Sequence, residues 1–335
     1  MAVKKETVVL YLGMGISLLF VAYAAMKMDF RKAFEVILSA NVLWLIPIVL
    51  LTFLTFYLRA LRWWYILAST KKIPVIDILS ALCIGFMANM LLPMRTGELI
   101  RAYVISKKER VGLSSVVGTV VLERVYDLLA TIVLLIIVMF FARPANVSPE
   151  IWASLKKGGL TISGAFILAM TFMVMLVHNY TKVNAFLQMF YGMLPKGAAE
   201  KIESLLSAFR DGLRALEEGR HIIAITLYTA IIWIVIFMVN YSFLPMFDVD
   251  ASLEVALVLS LFIIFGVMVP SSPGFVGPLH AGIVIALGLY GVDYDEALGI
   301  AIVIQLAIFV QLVAQGFFFL WYSGLSFSKI RQTAE

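Results

Sequence analysis

Apolar residues run along this chain in long blocks, and the charged residues gather mostly in the gaps between them. The longest blocks cover residues 7–26, 42–58, 113–141, 160–177, 222–243 and 297–321. A helix rising about 1.5 Å per residue needs about 20 apolar residues to cross a hydrocarbon core about 30 Å thick. The six blocks therefore read as transmembrane helices. The first follows Lys4 and Lys5 and has the look of a signal peptide. No small-residue cleavage site comes after it, so it reads as a retained span. The second ends in Arg59, Arg62, Trp63, Trp64 and Tyr65, a mixture that marks a membrane interface.

Two further apolar blocks are short and broken. Residues 76–92 contain Gly85 and Asn89 and stop at Pro93; Arg95, Gly97, Glu98 and Arg101 follow at once. Residues 255–269 stop at Pro270, and Ser271, Ser272, Pro273, Gly274, Gly277 and Pro278 precede a short apolar piece at 279–289. Broken backbone is tolerated at membrane depth only where protein or a wet cavity covers its free polar groups. Each segment thus reads as a broken helical hairpin, the first at about 76–110 and the second at about 253–290. Between the halves, residues 181–220 are more polar. There Ile202, Leu205, Leu206, Phe209, Leu213 and Leu216 recur at helical spacing, with Lys201, Arg210, Asp211 and Arg214 on other faces. That pattern fits an amphipathic helix on the membrane surface.

Basic residues cluster at Lys4/Lys5, Lys71/Lys72, 95–110, 182–220 and Lys329/Arg331. The positive-inside rule assigns these to the cytoplasm, with both termini, in a plasma-membrane protein. Asp248, Asp250, Glu254, Asp293, Asp295 and Glu296 then lie outside. Arg31 and Lys32, and again Arg143, Lys156 and Lys157, run against the pattern. A consistent path has the first hairpin enter from the cytoplasm and the second from outside. The expected fold is an all-α polytopic membrane protein, one domain over 1–335, with about six transmembrane helices plus two re-entrant hairpins. Opposed hairpins are what an inverted-topology repeat produces, and paired Gly/Pro-broken segments point to a central transport site. No residue-level repeat between the halves is evident.

Composition agrees. Of 335 residues 62% are hydrophobic, more than the usual half of a soluble domain. The single Cys83 excludes a disulfide scaffold, and three separated histidines lack HExxH spacing. No metal, cofactor or catalytic residue is expected. The net charge of +5 comes without a basic tract dense enough for nucleic acid.

Charge inside the apolar blocks carries the functional signal, because intramembrane ionisable groups are costly and line cavities or pair with one another. Glu98 and Arg101 are three apart and can pair on a helix. Together with Arg95 and Asn89 they read either as an ordinary solvated loop or as a rim holding a phosphate, which suits the planar arginine fork. Glu123, Arg124 and Asp127 lie within the block at 113–141, where Glu123 and Asp127 share a face. They read as an ion-pair clamp with Arg95 or Arg101, or as the wall of a wet cavity. Ser271 and Ser272, with the backbone around Pro273, Gly274 and Gly277, form either an anion-friendly pocket or a plain external turn. Gln305, Gln311 and Gln315 on the last span are a weaker signal, and Gln311 and Gln315, four apart, are expected to bond neighbouring helices.

Three motifs in order carry a family resemblance: 89–101, running from Asn89 and Pro93 through Arg95, Gly97, Glu98 and Arg101; 123–127, with Glu123, Arg124 and Asp127; and 273–277, with Pro273, Gly274 and Gly277. They resemble the lysylphosphatidylglycerol synthase transmembrane family, also called the flippase-like domain family, over nearly the whole chain. In two-domain members this domain moves an aminoacylated phospholipid to the outer leaflet, while a soluble domain makes that lipid. The chain stops soon after its last span, so the resemblance implies a free-standing member without the synthase domain. It implies a lipid transporter, not an enzyme, moving a phosphate-bearing headgroup through a polar cavity. The resemblance implies a lipid of one of three classes: a phospholipid, a polyprenyl phosphate or a glycolipid. A membrane-embedded lipid-modifying enzyme and a non-transporting scaffold stand as alternatives, and a homo-oligomer is left open.

Overall fold

The computed structural model describes residues 29–68, 70–92, 95–144, 146–178, 219–269 and 272–324. Among these residues there are ten α-helices and no strand. In chain order they are α1 (Phe30–Ser39), α2 (Leu45–Leu67), α3 (Val75–Leu91), α4 (Gly97–Glu109), α5 (Leu113–Phe141), α6 (Pro149–His178), α7 (Gly219–Met246), α8 (Leu253–Met268), α9 (Pro278–Gly288) and α10 (Tyr294–Tyr322). Among the described residues, four stretches are long and apolar enough to cross a membrane: Val42–Leu67, Leu113–Phe141, His221–Met246 and Tyr294–Tyr322. The block at 160–177 falls within α6. The expected first span, the amphipathic segment up to residue 218, and the basic tail lie outside the described residues, as do Pro93, Pro270 and Ser271.

The helix ends follow local chemistry. The Ser252 hydroxyl accepts from the Val255 amide and starts α8. Asp293 accepts from the Asp295 amide and starts α10, with Asp295 and Glu296 in its first turn, where carboxylates oppose the positive end of the helix dipole. Pro278 opens α9, where its missing N–H costs nothing. The chain leaves α4 at Arg110, in a left-handed conformation. α1 was not expected as an element. Asp29 caps it by accepting from the Arg31 and Lys32 amides. Phe34 and Leu38 on it are exposed, and Arg31 pairs with Glu35 at 3.1 Å. It packs on α10, and the Asp29 amide donates to Asp295 at 2.9 Å.

Both broken segments form hairpins that begin and end on one face. The first pairs α3 with α4. Its two ends are tied by Lys71–Glu109 at 2.8 Å and Lys108–Asp77 at 2.7 Å. Ser80 meets Ser323, just past α10, at 2.5 Å. The second pairs α8 with α9 and is closed by Tyr290 donating to Glu254 at 2.9 Å. The Arg143 amide also donates to Glu254, and the Asn146 amide donates to the Leu289 carbonyl at 3.3 Å. The first hairpin therefore opens at the C-terminal end of α10 and the second at its N-terminal end. A 29-residue helix is roughly 44 Å long, so these are opposite faces of the bundle. One carries Lys71, Lys72, Lys107 and Lys108; the other carries Asp248, Asp250, Asp293 and Asp295.

Glycines let each hairpin close. A Cβ on Gly85 would stand 2.6 Å from the Gly97 carbonyl oxygen and 2.8 Å from the Arg101 Cβ. In the second hairpin a Cβ on Gly266 would stand 2.7 Å from Leu279, and one on Gly282 2.6 Å from the Phe262 carbonyl. Small residues at such contacts let helix backbones approach in a membrane, where packing drives association. Around the hairpins α7 lies along α2, and α10 lies along α3. Leu50, Phe53, Ile234, Val310 and Trp321 face outward, as a lipid-solvated surface requires.

Candidate functional site

The tips of the two hairpins meet inside the bundle. Pro273–Phe275, a 3-10 turn in the second break, packs against α3. Gly274 has φ +74° and Gly277 φ +98°, a region open to glycine at little steric cost. Gln305 donates its amide to the Gly274 carbonyl. Gln305 lies eleven residues into α10, roughly 17 Å along that helix of roughly 44 Å. Gly274 and Phe275 of the second break are thus buried at mid-bundle depth, while Pro273 stays exposed. Ser272 donates to the Val276 carbonyl at 3.4 Å within the turn. In the first break Asn89 accepts from the Gly97 amide at 2.8 Å, so its side chain holds the start of α4.

A charge network surrounds this meeting point. Arg101, on α4, donates to Glu123 Oε2 at 2.6 Å, and its guanidinium lies 4.7 Å from the Trp63 ring centre. Trp63 in turn donates to Thr119 at 2.9 Å. The other oxygen of Glu123 accepts from Arg62 at 3.2 Å. Arg62 also donates to Asp127 at 2.7 Å and to Thr229 at 3.2 Å. Arg124 pairs with Glu98 at 3.1 Å and with Asp127 at 3.4 Å. Arg59 stands 3.7 Å from Asp127. Arg62 is 0%, Arg101 1% and Glu123 1% exposed, so water screens these charges little. Four helices, α2, α4, α5 and α7, supply these charges and their hydroxyl partners.

The structure redistributes the expected pairs. Glu98 does not pair with Arg101; it pairs with Arg124, and Arg101 turns inward to Glu123. Arg95 is not the clamp for the carboxylates. Among the described residues it has no ion pair, lies 5.9 Å from the Phe275 ring centre, and leaves a buried Nε without a hydrogen-bond partner. The sequence marks Arg59 and Arg62 as interface residues, because Trp63, Trp64 and Tyr65 follow them. In fact α2 continues to Leu67, which places Arg62 roughly 8 Å inside its end. The available signal was their spacing: three residues apart, they share a helix face as Glu123 and Asp127 do.

Charge does not balance here. Arg59, Arg62, Arg101 and Arg124, with Arg95 in electrostatic reach of Glu98 and Asp127, face Glu98, Glu123 and Asp127. Five guanidiniums against three carboxylates leave a surplus of two positive charges. Donors are also left over: Arg62 Nε, Arg95 Nε, and Arg101 Nε and a terminal nitrogen are buried and unbonded. A buried charge demands a partner, and arginine N–H groups in a fork match the oxygens of a phosphate or carboxylate. The arrangement can hold an anion with several acceptor oxygens.

Comparison with known proteins agrees with this architecture. The family model described as the lysylphosphatidylglycerol synthase TM region matches residues 10–316. A UPF0104 membrane protein of Methanocaldococcus jannaschii is 27% identical over 238 residues, covering 68% of this chain and 90% of the relative. A UPF0104 membrane protein of Methanothermobacter thermautotrophicus is 25% identical over 317 residues, covering 87% of this chain and 88% of the relative. No solved structure matches the chain. With its motifs in order, its all-helical membrane fold and a match across most of its length, the chain belongs to the lysylphosphatidylglycerol synthase transmembrane-region family.

Proposed function

We propose that this protein carries a phosphate-bearing lipid headgroup between membrane leaflets, while the lipid chains stay in the bilayer. The observation that carries the reading is the surplus of positive charge, buried at Arg62 and Arg101 and half-buried at Arg59, Arg95 and Arg124, where two oppositely entering broken hairpins meet. Broken helices entering from both faces are the parts from which alternating access to a midplane site is built. In this reading Arg95, Arg101 and Arg124 hold the phosphate, Glu98, Glu123 and Asp127 hold the arginines in place, and Asn89 with Gly97 fixes the first break. Ser272 shapes the second break.

The face bearing Lys71, Lys72, Lys107 and Lys108 is cytoplasmic in a plasma membrane, by the positive-inside rule. No chemical step is part of the proposal; the charged groups are arranged to bind and release. Proteoliposomes with fluorescent phospholipids and an outer-leaflet quencher test it: the protein must speed the loss of protected lipid. Product formation from labelled lipid would favour an enzyme instead, and neither result a scaffold.

A further inference from the structure

Beside the network a cleft of about 150 Å³ opens between α2, α3, α7 and α10, with Thr52, Thr55, Arg59, Phe86, Val239 and Gln311 among its walls. Its polar walls are already engaged. Thr52 donates to the Ile48 carbonyl at 2.7 Å, Thr55 to the Leu51 carbonyl at 2.9 Å, and Gln311 to the Val49 carbonyl at 2.9 Å. Arg59 is not engaged in this way. Its guanidinium lies 5.4 Å from the Phe86 ring centre, and its ion pair to Asp127 spans 3.7 Å, beyond hydrogen-bond range. Among the described residues the Arg59 side chain makes no hydrogen bond, although its guanidinium carries five N–H donors. Asp127 cannot serve it fully, because Arg62 holds the other oxygen at 2.7 Å and Arg124 shares the same one.

The cleft has a direction and a chemistry. Ile48, Thr52, Thr55 and Arg59 succeed one another along one face of α2, a run of roughly 17 Å from the charge network toward the acidic face. Apart from Arg59 the lining is mostly apolar, so an acyl or isoprenoid chain can lie against it. The volume is well below the roughly 300–1,000 Å³ of pockets for drug-sized ligands, which suits a phosphate with the first part of its lipid chain and excludes a bulky headgroup. A zwitterionic headgroup would set its own cation against a site that already carries surplus positive charge.

We infer that this cleft is a second lipid-phosphate station, in which Arg59 binds the phosphate of a lipid whose headgroup is small and net anionic. The inference deepens the transport reading by naming the lipid class, but binding can be measured without transport. The test uses the purified full chain in nanodiscs, with retained short-chain phosphatidylglycerol and phosphatidylcholine counted by native mass spectrometry. Wild type should retain phosphatidylglycerol about tenfold better, and Arg59→Gln should lose about that preference, as expected for charge-assisted hydrogen bonds. Val239→Phe fills the cleft and leaves every charged group in place; it should lose the lipid too, which covers the case of a poorly folded Arg59 variant. Inorganic phosphate lacks a chain for the apolar walls and should leave the lipid bound. Equal retention of both lipids by wild type, unchanged preference in both variants, or displacement by phosphate would overturn the inference. Arg59-dependent binding without lipid movement would overturn the transport reading alone. Lipid movement with a preference indifferent to Arg59 would overturn only this one.

Discussion

The Arg101 guanidinium donates to Glu123 Oε2 at 2.6 Å, joining the first broken hairpin to the long helix α5 at a point where both side chains are almost fully buried. Breaking a buried pair leaves a charge without compensation and costs about 3–5 kcal/mol. Glu123→Gln should therefore lower the melting temperature in detergent markedly, since it strips a partner from Arg62 as well. Arg101→Gln added to Glu123→Gln should cost less than the two single changes summed. Strict additivity, read from melting curves of the four proteins, would mean that the pair is not coupled.

Arg95 should behave differently. Among the described residues it has no carboxylate partner, so removing it orphans no opposite charge. Arg95→Gln should keep stability within about 1 kcal/mol, the scale of its cation–π contact with Phe275. Thermal unfolding beside wild type checks this.

The glycine contacts make a sharper steric forecast. Gly85→Val places bulk against the Gly97 carbonyl and the Arg101 Cβ, where overpacking costs typically about 1–3 kcal/mol. It should spread the first hairpin and reduce folded yield. Gly112→Ala, with open space at its Cβ, should be neutral. Size-exclusion profiles of the two variants decide between these outcomes.

Tyr290 closes the second hairpin outside the apolar helices. Burial and the neighbouring Glu254 carboxylate push its phenol above the ordinary value. A raised folded value means the contribution is whole below about pH 10, the unfolded tyrosine value, and is lost as pH rises beyond it. Tyr290→Phe should cost about 1 kcal/mol at neutral pH. It should also lose less stability than wild type above about pH 10. Parallel pH titrations of melting temperature test the sign.

Much of this fold could be read from the chain, because a bilayer forces long apolar blocks and makes Pro and Gly breaks conspicuous. The helix Leu113–Phe141 coincides with its block, and both breaks fall where Asn89 to Gly97 and Ser272 to Gly277 interrupt apolar runs. The site was only half legible. Arg101, Glu123, Arg124 and Asp127 stood out as charges in apolar surroundings. Arg59 and Arg62 did not, because arginines beside tryptophan and tyrosine also describe a membrane surface, and only the packing of α2 against α5 and α7 buries Arg62. The partner choices were hidden for a related reason: helical spacing favoured Glu98 with Arg101, but tertiary packing turned them toward Arg124 and Glu123. α1 escaped notice because ten residues with polar positions among the apolar ones resemble a loop.

If a lipid phosphate crosses at the meeting of the hairpins, headgroup exposure in proteoliposomes must depend on the arginines there. Liposomes would carry fluorescent phosphatidylglycerol in one series and labelled polyprenyl phosphate in another, with a quencher outside. Wild type should speed the loss of protected lipid in at least one series, and Arg95→Gln, folded and stable, should slow that loss about tenfold, the scale of lost charge-assisted hydrogen bonds. Wild-type decay matching protein-free liposomes in both series, or Arg95→Gln matching wild type, would contradict the claim.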